Sequence, residues 1–283
     1  MSLSLGFSPC PNDTFIFHDL VHGLVADCPD FSEPVLADVE TLNLRALQAK
    51  LDVTKISFHA LGHVLDDYVL LDAGSALGRG CGPLLVTGRE KINLPLEKMS
   101  VAIPGRYTTA ALLLRLFAPA CRNTTVLDFA EIMPAVRTGR FDAGVIIHES
   151  RFTYQQYGLV CRQDLGSWWE EVTGHPIPLG GIAARRSLGS DLLCRIEESI
   201  RNSVRQAFAE PERSMNYIRQ HAQEMDEDII RNHINLYVNN FSQNLGQSGL
   251  AAIRKFITLG IDNKIFDPAV AKIDRLILDR QRV

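Results

Sequence analysis

Over its first 65 residues the chain alternates short apolar runs with segments of helical period, and this alternation restricts it to an α/β architecture. Ser2–Phe7, Pro34–Asp38 and Val53–Phe58 read as strands, and Thr14–Leu24, Val39–Ala49 and Ala60–Leu65 read as the helices after them. Interposed helices favour parallel pairing, because a tight turn cannot return a chain in its original direction. The pattern resumes with strands at Met99–Ile103 and Thr125–Leu127, each followed by a helix, Ala111–Phe117 and Phe129–Thr138. Gly139 suits the position just past the second helix. Phe141–Ile147 is an almost wholly apolar strand. From Leu188 onward the chain reads as helical. Leu193, Ile196, Ile200 and Val204 recur three or four apart within Leu192–Ala207, and helices follow at Pro211–His221, Asp226–Tyr237, Gln247–Leu259 and Pro268–Asp279. Their apolar faces read as packing.

Two stretches interrupt the pattern. In Gly78-Arg-Gly-Cys-Gly-Pro-Leu-Leu-Val-Thr87, three glycines precede an apolar strand. Its G-x-G is not a dinucleotide fingerprint, since no helix follows it. Gly174–Gly181 is a turn cluster, and Gly181–Arg185 reads as a strand leaving the middle of the chain. Two such crossings outline a discontinuous two-lobed fold. Residues 1–90 and 179–283 are expected to form an outer lobe and 91–178 an inserted lobe, with two hinge strands between them and a ligand in the cleft.

Three places carry chemistry. In Leu5-Gly-Phe-Ser-Pro-Cys-Pro-Asn-Asp-Thr-Phe-Ile-Phe-His18 a strand runs into a helix through a turn holding Ser8, Asn12, Asp13 and Thr14. Pro9 and Pro11 fix φ and remove two backbone donors, so the turn is stiff. It suits either a helix cap made by Asn12 or Asp13, or one wall of a pocket for a polar small molecule. Pro104-Gly-Arg-Tyr-Thr-Thr-Ala110 repeats the arrangement, and Thr108 and Thr109 suit either a cap or a carboxylate site at a helix N-terminus. His148 stands at the carboxyl end of the apolar strand, where open α/β sheets hold ligands, and imidazole is the side chain best matched to proton transfer near neutrality. A structural, hydrogen-bonded histidine fits the same text. Glu149 would orient its ring or lie at the surface. His18 and His59 are second candidates for the base, but each stands in an apolar context and reads as a packing or supporting residue.

The formal net charge of −4 supplies no electrostatic reason to bind nucleic acid or an anionic membrane. The six cysteines form no C-x-x-C pair and none sits at ligand spacing from a histidine, which points to free thiols in a reducing compartment. No basic, apolar leader opens the chain and no apolar run reaches membrane-spanning length. A cytoplasmic protein is expected, acting on a small molecule as a monomer or homodimer.

Ser8-Pro-Cys-Pro-Asn-Asp-Thr-Phe15 with His18 resembles the N-terminal signature of the 1,4-dihydroxy-6-naphthoate synthase family of menaquinone biosynthesis by the futalosine route. Lys55-Ile-Ser-Phe-His-Ala-Leu61, Gly80-Cys-Gly-Pro-Leu-Leu-Val86, Pro104–Ala110 and Ile147-His-Glu149 resemble later blocks of that family, in the same order. The resemblance covers roughly residues 5–185. It implies a two-lobed α/β fold like that of periplasmic solute-binding proteins, each lobe a mixed, mostly parallel sheet flanked by helices. It implies a carbon–carbon lyase that converts cyclic dehypoxanthinyl futalosine to 1,4-dihydroxy-6-naphthoate, with no metal and no organic cofactor. The family's proton-abstracting histidine carries over onto His148, and its substrate contacts onto Lys55, Ile56, Ser57, Thr108 and Thr109. Ser8, Asn12, Asp13 and Thr14 are expected to face Thr108 and His148, of the other lobe, across the cleft. The alternatives are a chorismate-dehydrating enzyme of the same route, which lacks the Ser8–Thr14 text, a transport-type solute-binding protein, and a ligand-sensing domain, which would bring a basic DNA-binding segment.

Overall fold

The computed structural model describes residues 2–222 and 226–278. Strand β1 (Leu5–Phe7) leads into helix α1 (Pro11–Val21), and β2 (Val35–Leu36) into α2 (Val39–Leu47). Strand β3 (Val53–Ser57) runs directly into the one-turn α3 (Phe58–Leu61), followed by β4 (Tyr68–Leu70) and β5 (Ala76–Gly78). A second run comprises β6 (Leu84–Gly88), β7 (Val101–Ile103), α4 (Thr109–Phe117), β8 (Thr124–Val126), α5 (Phe129–Arg137) and β9 (Ala143–Ile146). It continues through α6 (Ser150–Thr153), β10 (Leu159–Asp164) and α7 (Leu165–Thr173) to the long β11 (Ile177–Arg185). The remainder is helical: α8 (Ser190–Ala209), α9 (Met215–His221), α10 (Glu227–Tyr237), α11 (Asn240–Gln243) and α12 (Gly246–Asp262).

The strands form two sheets. The first has the order β2-β1-β3-β11-β4, with β5 also paired to β11; the second has the order β10-β6-β9-β7-β8. Pairing is parallel for β1 with β2 and β3, and for β7 with β8 and β9. There a helix, or in β9–β7 an extended excursion, separates the strands, as the alternation in sequence requires. Pairing is antiparallel wherever β11, β6 or β10 takes part, because these strands run the chain back along the sheet. Each sheet is therefore mixed. The chain changes sheets between Gly78 and Leu84 and returns between Asp164 and Ile177. The expected divisions at 90 and 179 thus fall just after β6, a strand of the second sheet, and within β11, a strand of the first.

The first crossing is tightly packed. A Cβ on Gly82 would lie 2.3 Å from the Gly166 Cα, so the two backbones touch directly. Arg151 fastens the same place: Nη1 donates to the Gly82 carbonyl at 2.6 Å, and Nη2 pairs with Asp164 Oδ2 at 2.6 Å. Asp164 in turn caps α7 through the Gly166 and Ser167 amides.

One apolar core runs from Phe58, Phe256 and Phe266 around the first sheet to Leu85, Leu113 and Trp169 around the second. A second core packs α1, α8, α9 and α10 on the opposite face of the first sheet, and the expected Leu193, Ile196, Ile200 and Val204 stripe of α8 is buried in it. A third lies under α5. Several helices differ in extent from expectation: α3 ends at Leu61 instead of Leu65, and a 3₁₀ turn (Pro211–Ser214) precedes α9, which starts at Met215 instead of Pro211. Helix α1 starts at Pro11 instead of Thr14, since the fixed φ of proline suits the first helical position and its missing N–H has no partner to lose there. No α-helix occupies 268–278: among the described residues this segment holds a single 3₁₀ turn, Ile273–Arg275. Asp267 Oδ1 accepts the Ala269 amide, and the Leu70 amide donates to the Leu276 carbonyl at 2.9 Å, drawing the segment into an edge contact with β4. Asp279, the expected end of that helix, lies outside the described residues.

Candidate active site

Strand β1 delivers the chain to Ser8, and Cys10 occupies the N-cap position of α1 without making a side-chain cap. Asn12 and Asp13 do not cap the helix either. Asp13 gathers four donors instead. Its Oδ2 accepts the Ser8 amide at 3.2 Å and the Ser8 hydroxyl at 2.7 Å; its Oδ1 accepts Asn12 Nδ2 at 2.8 Å and faces Lys55 Nζ at 2.7 Å. Lys55, on β3, also donates to the Gly74 carbonyl at 3.2 Å. The Asp13 and Lys55 side chains are 2% and 6% exposed, so each charge depends on the other. Thr14 stays out of this group: its hydroxyl donates to the Cys10 carbonyl at 3.0 Å within the helix, and it does not line the cleft.

The second polar turn belongs to α4. Thr108 is its N-cap, accepting the Ala111 amide at 3.2 Å and donating to the Gly105 carbonyl at 2.9 Å. The Thr109 hydroxyl donates to the Leu179 carbonyl of β11 at 2.6 Å. The first N–H groups of a helix have no acceptor within it, so this end of α4 is a ready seat for a carboxylate. Elements of the first sheet hold the turn from two sides. Glu40 of α2 accepts the Arg106 and Tyr107 amides at 2.7 and 3.1 Å, and His59 of α3 donates from Nδ1 to the Thr108 carbonyl at 3.0 Å. Burial pushes the Glu40 carboxyl up and pushes His59 down to about 3, so His59 is a neutral positioning group.

His148 follows β9 in a turn with φ of 57°, a left-handed conformation that a non-glycine residue adopts only when its surroundings impose it. Its ring meets Phe129 edge-on at 5.4 Å and lies parallel to the His233 ring at 6.0 Å. Burial holds the His148 imidazole down at about 4, with Glu149 opposing that effect and His233 adding to it. Burial alone would raise the Glu149 carboxyl, but His233 and His148 outweigh it and hold the group at about 2. His233, on α10, directs Nε2 at Asn12 Oδ1 (2.9 Å) and Nδ1 at Glu149 Oε2 (3.4 Å).

Both polar turns and His148 open onto one cleft of about 650 Å³, counted with its open mouth. Ser8 lines it from the turn after β1, Asn12 and Asp13 from α1, Lys55, Ile56 and Ser57 from β3, Thr108 and Thr109 from the N-terminal turn of α4, and His148 from the turn after β9. Every expected contact residue except Thr14 is brought to it. Tyr237 of α10 also lines the cleft. Cys10, His148 and Glu149 bring donor atoms within 4.8 Å of one another among the described residues, but burial pushes the Cys10 thiol well up, so it stays protonated and the trio does not suit a metal ion. His18 lies apart, bonded to Asp19 at 2.6 Å, with its ring tilted 31° against that of His22 at 4.3 Å. Reading by period assigned α10 to packing and so missed His233 and Tyr237. The one available sign was two rings with polar tips a single helical turn apart.

A family model described as menaquinone biosynthesis matches residues 3–261. A 1,4-dihydroxy-6-naphthoate synthase of Thermus thermophilus is 52% identical over 254 residues, covering 90% of this chain and 92% of the relative. A Streptomyces coelicolor protein of the same name is 48% identical over 262 residues, with 91% and 92% coverage. Among solved structures, an Archaeoglobus fulgidus protein superposes with a TM-score of 0.87 at 34% identity, covering 94% of this chain and 98% of that one. The periplasmic aliphatic sulphonate binding protein of Escherichia coli has a TM-score of 0.66 at 11% identity, with 98% and 92% coverage, a likeness of fold alone. No helix among the described residues is long and apolar enough to cross a membrane. With its binding-protein-like fold and its relatives at about half identity, the chain belongs to the menaquinone-biosynthesis family and is an enzyme of the 1,4-dihydroxy-6-naphthoate synthase type.

Proposed function

We propose that this enzyme is a lyase that converts cyclic dehypoxanthinyl futalosine to 1,4-dihydroxy-6-naphthoate, with His148 as the general base. Releasing a sugar-derived fragment while aromatising a bicyclic product requires removal of protons from carbon and stabilisation of developing negative charge. The observation that carries the reading is a neutral imidazole in one cleft with two helix N-termini. Burial keeps His148 unprotonated at neutral pH, ready to accept a proton. The N-terminal turn of α4, with Thr108 and Thr109, is suited to the substrate carboxylate, and Lys55 with the Ser8–Asp13 turn to the opposite end. The lobes on which closure depends are proposed to follow the two sheets, with the enzyme in the cytoplasm.

Incubation with the cyclic substrate, followed by mass spectrometry, should yield dihydroxynaphthoate. His148→Asn should fold as the wild type does and lose turnover; a retained kcat would remove His148 from the role of base.

A further inference from the structure

The chain of side chains behind His148 has a defined direction. Both oxygens of Asp13 can only accept, so the Asn12 amide must turn Nδ2 toward Asp13 and Oδ1 toward His233. A carbonyl oxygen facing His233 Nε2 requires that nitrogen to carry a proton. In a neutral ring the other nitrogen, Nδ1, would then present a lone pair to Glu149 Oε2 at 3.4 Å, acceptor against acceptor. Both of these atoms are buried, and neither has another hydrogen-bond partner among the described residues. Two unsatisfied acceptors pressed together in the interior are unfavourable, and a single proton between them relieves both.

We propose that His233 and Glu149 are positioning residues for His148. One proton, held between His233 Nδ1 and Glu149 Oε2, cancels the carboxylate charge beside the base. Asn12, oriented by Asp13 and Lys55, fixes the face that His233 presents. The inference rests on the reading of His148 as base. The groups facing His233 are His148 and Glu149 from the turn after β9, Asn12 from α1 with Cys10 and the paired Asp13 and Lys55 behind it, and Tyr237 from its own helix at 4.7 Å. Without the shared proton, Glu149 would stand as a bare carboxylate next to His148 and draw a proton onto the base as pH falls.

The test compares pH profiles of kcat/KM for the wild type, His233→Gln and Glu149→Gln with the cyclic substrate. Glutamine at 233 can still donate to Asn12 but cannot hold the second proton. The acid limb of His233→Gln should move up by one pH unit or more, with kcat largely recovered above the new limb. In Glu149→Gln the limb should not rise. An unmoved limb in His233→Gln, or a rise in both variants, overturns the proposal. If His233→Gln does not fold by circular dichroism, the wild type decides through ¹⁵N-histidine NMR. A protonated or proton-sharing Nδ1 on His233 supports the proposal, and a bare, pyridine-type Nδ1 overturns it. Turnover retained by His148→Asn would sink the base reading, and the same spectrum would still locate the proton.

Discussion

Asp13→Asn removes one charge from a pair that water hardly reaches. The Lys55 ammonium then keeps only the Gly74 carbonyl and whatever the new amide oxygen offers. Deleting one partner of a buried ion pair costs about 3–5 kcal/mol. The new NH₂ group must also face either the Ser8 donors or Asn12 and Lys55, and one lost acceptor adds about 1 kcal/mol. At an unfolding entropy of about 2.1 cal/mol/K per residue, a combined loss of about 4–6 kcal/mol in a chain of this length lowers Tm by about 7–10 °C. Lys55→Met should cost less, because Asp13 retains the Ser8 amide, the Ser8 hydroxyl and Asn12 Nδ2. Combining the two substitutions removes both charges, so the double variant should melt above Asp13→Asn. Calorimetry at pH 7 on all four proteins provides the cycle. A Tm for Asp13→Asn within about 2 °C of wild type, or a double variant as unstable as the sum of the singles, would refute the dependence of each charge on the other.

Thr109→Val deletes the hydroxyl that donates to the Leu179 carbonyl and should raise KM for the cyclic substrate, with a stability loss of about 1 kcal/mol; an unchanged KM would take Thr109 out of substrate binding. His59 has its pKa depressed by burial to about 3, so its contribution to stability is complete above its unfolded value near 6.5 and is lost as pH falls from there toward 3. Over pH 6 to 4 the wild type should therefore lose about 1.4 kcal/mol per pH unit more than His59→Gln in denaturant melts, and equal slopes would contradict a neutral buried His59. Gly82→Ala drives a methyl group into the Gly166 backbone at the crossing between sheets, where no flexible side chain can yield. It should lower Tm by several degrees, whereas Gly80→Ala, whose Cβ would meet nothing within 4 Å, should show only the strain of its φ of 66°.

Local patterning reached far into this fold. Alternating apolar runs and helical periods located most strands and helices to within a few residues, and the glycine-rich stretches marked where the chain changes sheets. Most of the cleft was legible for the same reason. Ser8, Asn12, Asp13, Thr108, Thr109 and His148 sit at strand-to-helix turns or strand ends, and an α/β topology gathers such turns at the carboxyl ends of its strands. Thr14 had the same local text as its neighbours, but one more residue of helical rotation turned it toward the Cys10 carbonyl and away from the cleft. Period assigns a residue to a face of its helix and does not say what the face meets, so α10 read as packing until the fold laid it against α1. A separation of 221 residues between His233 and Asn12 closes only in three dimensions. The amino-acid sequence determined the elements, their turns and the chemistry those turns carry. The tertiary structure alone decided that Asp13 answers Lys55 instead of capping its helix, and that His233 stands behind His148, because burial and distance between remote segments decide whether a charge or a proton has a partner.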